Sequence, residues 1–197
     1  MSAAQKRFFT PEEYLAWEEL QEVKHEYVNG EVYEVYAMTG ARDAHVTVAG
    51  NVFALLKSHL RGTPCRTYIA DMKLWVEAAN AYFYPDVFVT CDARDRDSDL
   101  IKYHPSLVVE VLSDSTAGYD RGRKFNFYRT LESLREYVLI DPIQRTVEVF
   151  RRDAQGHWVL YPFEREDETE FASLECRLPM ALIFEDVLPI PGNSEIM

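Results

Sequence analysis

The sequence predicts a single α/β domain built on a mixed β-sheet, and three observations carry that prediction. The chain has 197 residues, 47% hydrophobic and 13% aromatic, enough for one core. Short β-prone runs alternate with segments of helical periodicity. No internal repeat, low-complexity tract or linker divides the chain. One domain is therefore expected over 10–188, after a flexible stretch 1–9 and before a tail 189–197.

Thr10-Pro11-Glu12-Glu13 opens the first helix, with Thr10 as N-cap, Pro11 in the first turn and Glu13 closing a capping box. Asn29-Gly30 between two β-prone runs predicts a hairpin, because both turn residues need positive φ. Val46, Ala49, Gly50, Phe53, Leu56 and Leu60 recur at helical spacing, so a long amphipathic helix is expected over Asp43 to Arg61. Arg66 to Val76 and Tyr82 to Thr90 read as two strands, and Asp92 to Lys102 as a polar loop. Leu107-Val108-Val109-Glu110-Val111-Leu112 is almost continuously apolar, as expected of a central strand covered on both faces. A helix from about Asp120 to Leu131 follows, then a buried strand at Tyr137 to Ile140. Thr146 to Arg151 and Trp158 to Phe163 complete the strands around a turn at Asp153-Ala154-Gln155-Gly156. Trp158 to Phe163 and the apolar segment Met180 to Phe184 read either as core or as a homodimer face.

Composition narrows the function. The net charge of -12 opposes long-range attraction to phosphate backbones. Cys65, Cys91 and Cys176 are scattered and odd in number, so neither a disulfide framework nor a zinc site is expected. The first ten residues have no apolar leader and no run is long enough to span a membrane. A cytoplasmic, reducing location follows as an expectation.

Two acids stand where apolar residues belong. Glu110 interrupts the buried run, and burying an unpaired carboxylate costs several kcal/mol or so. A hard cation such as Mg²⁺ relieves that cost; so does an edge-strand position facing solvent, or a buried partner Arg or Lys. Asp86 follows Pro85 in an equally apolar stretch, where Pro85 implies an edge, a bulge or a turn. Lys124 lies on the next helix beside Arg121 and Arg123, with Arg129 beyond. It fits a catalytic ammonium or a plain Asp120–Lys124 helix pair. Ser113 and Ser115 lack a nucleophile elbow, and no glycine-rich phosphate loop is present.

Pro85-Asp86, then Glu110-Val111-Leu112-Ser113, then Lys124 resembles the PD-(D/E)XK nuclease superfamily. With Glu26-Tyr27-Val28-Asn29-Gly30-Glu31, His45, Ser115-Thr116, Asp120, Tyr128 and Glu136 to Pro142, the chain is similar to the Uma family of endonucleases from about Thr10 to Leu188. The resemblance implies a restriction-endonuclease-like core: a central mixed sheet flanked by helices, with an N-terminal hairpin and C-terminal strands. It implies Mg²⁺, or Mn²⁺, held by Asp86, Glu110 and the Val111 carbonyl, and hydrolysis of DNA by activated water. Glu26 would be an extra acid near the metal, His45 would stand at the mouth of the cleft, and Asp120 and Tyr128 would be secondary members. Arg121, Arg123 and Arg129, with Lys102 and Arg66, would supply a local positive cleft for DNA, and a homodimer would cut both strands. The lysine position two residues after Glu110 holds Leu112, so that role would pass to Lys124. Two other functions suit the sequence: a non-catalytic interaction domain that keeps the fold, and a hydrolase of small phosphoesters.

Overall fold

The computed structural model describes residues 8–35, 43–164 and 167–188. The chain is fixed from its first described residues: the Phe9 N–H donates to Gly30 O at 3.0 Å. Helix α1 (Pro11–Glu18) carries the capping box expected from its sequence. Strands β1 (His25–Val28) and β2 (Glu31–Glu34) form the Asn-Gly hairpin, with φ of 50° at Asn29 and 90° at Gly30. Helix α2 (Asp43–His59) follows the predicted periodicity and buries Val48, Ala49, Val52 and Leu56.

The next two expected strands each break in two. Arg66 to Val76 divides into β3 (Arg66–Ile69) and β4 (Lys73–Val76), and Tyr82 to Thr90 into β5 (Ala81–Phe83) and β6 (Val87–Thr90). The breaks have local causes. Ala70 takes a positive φ of 52°, and Pro85 has no N–H for a ladder. At each break the chain crosses to another sheet. A five-stranded sheet runs β2-β1-β5-β4-β7, with β7 at Ile101–Lys102. A six-stranded sheet runs β11-β10-β9-β8-β6-β3, built with β8 (Pro105–Val111), β9 (Glu136–Asp141), β10 (Thr146–Arg152) and β11 (Trp158–Glu164). Pairing of β8 with β9 is parallel and that of β6 with β8 antiparallel, so this central sheet is mixed, as expected.

The helical link from β8 to β9 begins earlier than its periodicity suggests. It comprises α3 (Ala117–Tyr119), a π-helical turn (Asp120–Lys124) and α4 (Phe125–Tyr128). The acidic stretch after β11 contains an unanticipated hairpin of β12 (Glu168–Phe171) and β13 (Cys176–Pro179), followed by α5 (Met180–Ile183). Met180 and Ile183 are core residues, whereas Val159, Leu160 and Tyr161 on edge strand β11 are exposed.

Alternation along β8 sorts its side chains to the two faces of the sheet. Leu107, Val109 and Val111 join α2, α5 and the β12–β13 hairpin in one core. Val108 and Leu112 join Tyr128, Leu131 and Tyr137 in the other. Glu110 falls on this second face by parity, against the helical link. It is a central strand with both faces covered, so a solvent-facing Glu110 on an edge is ruled out.

Cys65 and Cys91 are disulfide-bonded, which corrects the reading that the cysteine pattern supports no disulfide framework. The reason is register. The β3–β6 ladder sets Arg66 against Thr90, and the next pair outward is Cys65 and Cys91, with Cα atoms 3.9 Å apart.

Candidate active site

The β6–β8 register pairs Val87 with Val109, so Asp86 and Glu110 come to the same end of neighbouring strands. Pro85 serves here as the crossing point between sheets, which leaves Asp86 at the mouth of β6 rather than within it. Its Oδ2 accepts from the Val111 N–H at 2.7 Å, and His45 Nε2 lies 3.1 Å from its Oδ1. That pair settles His45: burial works against its charged form, but the hydrogen bond and the charge of Asp86 hold its pKa above the ordinary value. Val111 meets Asp86 through its N–H.

Glu110 and Lys124 are both buried, 3% and 6% exposed. Lys124 Nζ lies 3.0 Å from Glu110 Oε1, 3.1 Å from Glu26 Oε1 and 3.9 Å from Asp120 Oδ1. The Tyr128 hydroxyl donates to Glu110 Oε1 at 3.0 Å, and the Tyr137 hydroxyl to Asp120 O at 2.9 Å. Asp120, Lys124 and Tyr128 recur every four residues, so one face of the helical link delivers all three to the end of β8. The Asp120–Lys124 helix pair is therefore present, but as the longest of three contacts. The π-helical turn that holds both residues is a geometry common where side chains are re-aimed toward a site.

Charge is unbalanced around this lysine. Burial pushes the Glu110 carboxyl well above the usual carboxylate range; Asp86 and Asp120 add to the rise while Lys124 opposes it. Asp120 is raised too, by burial first and then by Asp86 and Glu26 against the pull of Lys124. Burial disfavours the Lys124 ammonium, yet Glu110, Glu26, Tyr128 and Asp120 together outweigh it and keep it charged. The five acids Glu26, Glu34, Asp86, Glu110 and Asp120 line one cavity of about 630 Å³ with three cations, Lys24, Arg123 and Lys124.

The structure thus brings Asp86, Glu110, Lys124, Glu26, Asp120, His45 and Val111 to one cavity, with Tyr128 directly behind it. It does not gather the expected positive cleft. Arg121 is paired with Glu148, and Lys102 is buried against the Asp95 and Ser98 carbonyls. Arg129 and Arg66 are exposed outside the cavity lining. Only Arg123 of the expected arginines lines it. Sequence reasoning missed Tyr119, which borders the cavity; burial, then Glu26, pushes its phenol up to about 12. Its place directly before Asp120 on the helical link is the signal that could have found it.

A family described as "Putative restriction endonuclease", Uma2, matches residues 11–182. The chain belongs to the Uma2 family. Two uncharacterised proteins of Synechocystis sp. are similar over nearly their whole length. One, slr1290, is 37% identical over 175 residues, 89% of this chain and 90% of that protein. The other, sll1609, is 34% identical over 178 residues, 89% and 99% of the two chains. The crystal structure of a "putative nuclease belonging to DUF820" from Anabaena variabilis superposes with a TM-score of 0.70, covering 91% of this chain and 99% of that one. At 18% identity that likeness shows the fold, so this Uma2 chain shares the architecture of that protein. The Uma2 match spans every residue of the cavity cluster, from Glu26 to Tyr128.

Proposed function

We propose that this Uma2 protein is a Mg²⁺-dependent endonuclease that hydrolyses DNA phosphodiesters in the Asp86–Glu110 cavity. One observation supports the reading most: an excess of carboxylates converges on a single buried lysine at the ends of β6 and β8. Three of those carboxylates, Glu26, Glu110 and Asp120, share the one ammonium.

The donor set suits a hard divalent cation. Mg²⁺ is commonly held by only one or two protein carboxylates, with waters and substrate oxygens completing the shell. No three His, Cys, Asp or Glu side chains among the described residues are arranged to hold a metal by themselves. Asp86 and Glu110 would be the protein's ligands, with the Val111 carbonyl as a third from the same strand end. The bound ion supplies Lewis acidity and lowers the pKa of water at the site; Mn²⁺ would serve similarly.

The remaining chemistry falls to the chain's own groups. The Val111 N–H and His45 fix the Asp86 carboxylate, so it enters the site already oriented. The Tyr128 hydroxyl does the same for Glu110. Lys124 stays protonated and donates to a non-bridging phosphate oxygen, where charge accumulates as the transition state forms. Water oxygen bonds to phosphorus as the P–O bond to the leaving nucleoside breaks. Glu26, beside Lys124, accepts the proton that water sheds, and the leaving oxygen is protonated from solvent. Leu112 takes no part, since its side chain is in the core.

A homodimer is part of this reading, with exposed edge strand β11 as its contact. A non-catalytic interaction domain is the second reading, favoured by Leu112 at the usual lysine position and by the net charge of -12. Calorimetric titration with Mg²⁺ and Mn²⁺, together with cleavage of DNA, separates the two. Binding that disappears in Asp86→Ala, with cleavage lost in parallel, is the expected result. Cleavage retained in both Asp86→Ala and Glu110→Ala would overturn the assignment, and no metal binding by the parent protein would favour the interaction domain.

A further inference from the structure

The shape and charge of the cavity bear on which form of DNA can enter it. Glu110 and Lys124 are almost wholly buried, so a reacting phosphate has to come inside. Its lining is acidic: among the described lining residues, five acids face three cations. Two of those cations are engaged. Lys24 is paired with Asp71 at 2.7 Å, and Lys124 with Glu26, Glu110 and Asp120. Arg123 is the one lining cation without a carboxylate partner among the described residues, and its guanidinium lies over the Phe127 ring. Duplex DNA carries a charge about every 1.7 Å, and proteins hold it through many simultaneous Lys and Arg contacts. One free arginine does not provide them.

The lining is also rich in apolar and aromatic side chains. Tyr33, Val46, Ile69, Tyr84 and Tyr119 are among them, and Val46 is 57% exposed although hydrophobic, on the first turn of α2. Tyr119 directly precedes Asp120 and lines the same cavity as Glu26, Arg123 and Lys124. Its ring stacks on no other aromatic among the described residues. A volume of about 630 Å³ falls within the roughly 300–1,000 Å³ of small-ligand pockets, the scale of a nucleotide or two. Aromatic faces hold unpaired bases by stacking without regard to sequence, while a paired base must first be pulled from its helix at a cost.

We infer that the substrate is single-stranded DNA, entering as an unpaired segment with a base against Tyr119 and its phosphate at Arg123 and Lys124. The inference rests on the nuclease reading for its chemistry but not for its binding. Unpaired strand is bound and cut, and the interior of a duplex is left alone.

The test measures binding and cleavage separately. Fluorescence anisotropy in Ca²⁺ compares a labelled single-stranded 20-mer with the same sequence as a blunt duplex. Single strand is expected to bind at least about tenfold tighter, a ratio that stacking of one or two bases can supply. Tyr119→Ala is expected to remove most of that advantage, whereas Tyr119→Phe keeps it. Equal or tighter binding of the duplex overturns the inference, and so does failure to bind either. In Mg²⁺ or Mn²⁺, a duplex with a single-stranded overhang is expected to be cut in the overhang; cutting within the paired region at the same rate overturns it. Selective binding without any hydrolysis would sink the nuclease reading while leaving the strand selectivity standing.

Discussion

The two ends of the central sheet each bury an acid near a lysine, and they resolve the charge in opposite ways. At one end, Asp95 is 1% exposed and accepts from the Thr90 hydroxyl at 2.6 Å, the Tyr103 N–H at 2.9 Å and the His104 N–H at 3.0 Å. Lys102, also buried, donates to the Asp95 and Ser98 carbonyls. Every charged atom there has backbone or hydroxyl partners, and the Cys65–Cys91 disulfide lies at the same end of β3 and β6. At the other end, Lys124 alone answers Glu26, Glu110 and Asp120, with Asp86 close by and a cavity open above them. Burial of charge does not distinguish a scaffold from a site. Closure does: a satisfied network holds loops in place, whereas a surplus of like charge beside an open cavity marks a candidate site.

The contrast breaks first on activity. Glu110→Gln should reduce hydrolysis by at least about a hundredfold, the scale of losing one essential electrostatic contact. Its thermal midpoint should change little, because losing the Lys124 ion pair offsets the relief of a carboxylate that burial and Asp86 disfavour, and Glu26 and Asp120 still partner Lys124. A kinetic assay paired with a melting curve checks both, and a large fall in midpoint would place Glu110 with the scaffold instead. Cys65→Ser should show the reverse pattern. It releases a loop spanning 26 residues, worth about 3 kcal/mol by chain entropy, which denaturant titration would register as a lower midpoint. Asp95→Ala should cost about 2 kcal/mol, since two backbone N–H groups and the Thr90 hydroxyl lose their acceptor. Mg²⁺ should leave that deficit untouched. Against the parent protein, the same ion should raise the melting midpoint in proportion to the logarithm of its concentration, an effect that chelation reverses and Asp86→Ala lacks. The smallest effect belongs to a surface ion pair: Arg121→Ala should change stability by less than about 1 kcal/mol, because its direct pair with Glu148 is partly open to solvent.

Local signals in the sequence were read well where one short-range interaction decides the backbone. The Thr10 capping box, the Asn29-Gly30 hairpin and the periodicity of α2 all formed as expected, because each depends on neighbours within a turn or two. The apolar run around Glu110 likewise identified a central strand from its own residues. Partition between sheets was not legible: nothing near Ala70 or Pro85 says that the chain leaves one sheet for another. The β12–β13 hairpin was hidden because its strands carry charged residues on the exposed side and lack an Asn-Gly turn. The arginines near Lys124 looked like a positive cleft in sequence, yet helical geometry sends neighbouring residues to different faces, and only Arg123 and Lys124 reach the cavity.

What the sequence determined by itself was the set of elements, the family resemblance and the two acids that do not belong among apolar neighbours. Those follow from periodicity, turn chemistry and the cost of burying charge, all of which act along the chain. What only the tertiary structure decided was company. The β6–β8 register brings Asp86 beside Val111, the four-residue spacing of the helical link carries Lys124 to Glu110, and β1 supplies Glu26 from 84 residues away from Glu110. The same long-range register joined Cys65 to Cys91, a pairing that residue counting had set aside. Contacts at such separations depend on how whole sheets align, and no short stretch of sequence encodes that alignment.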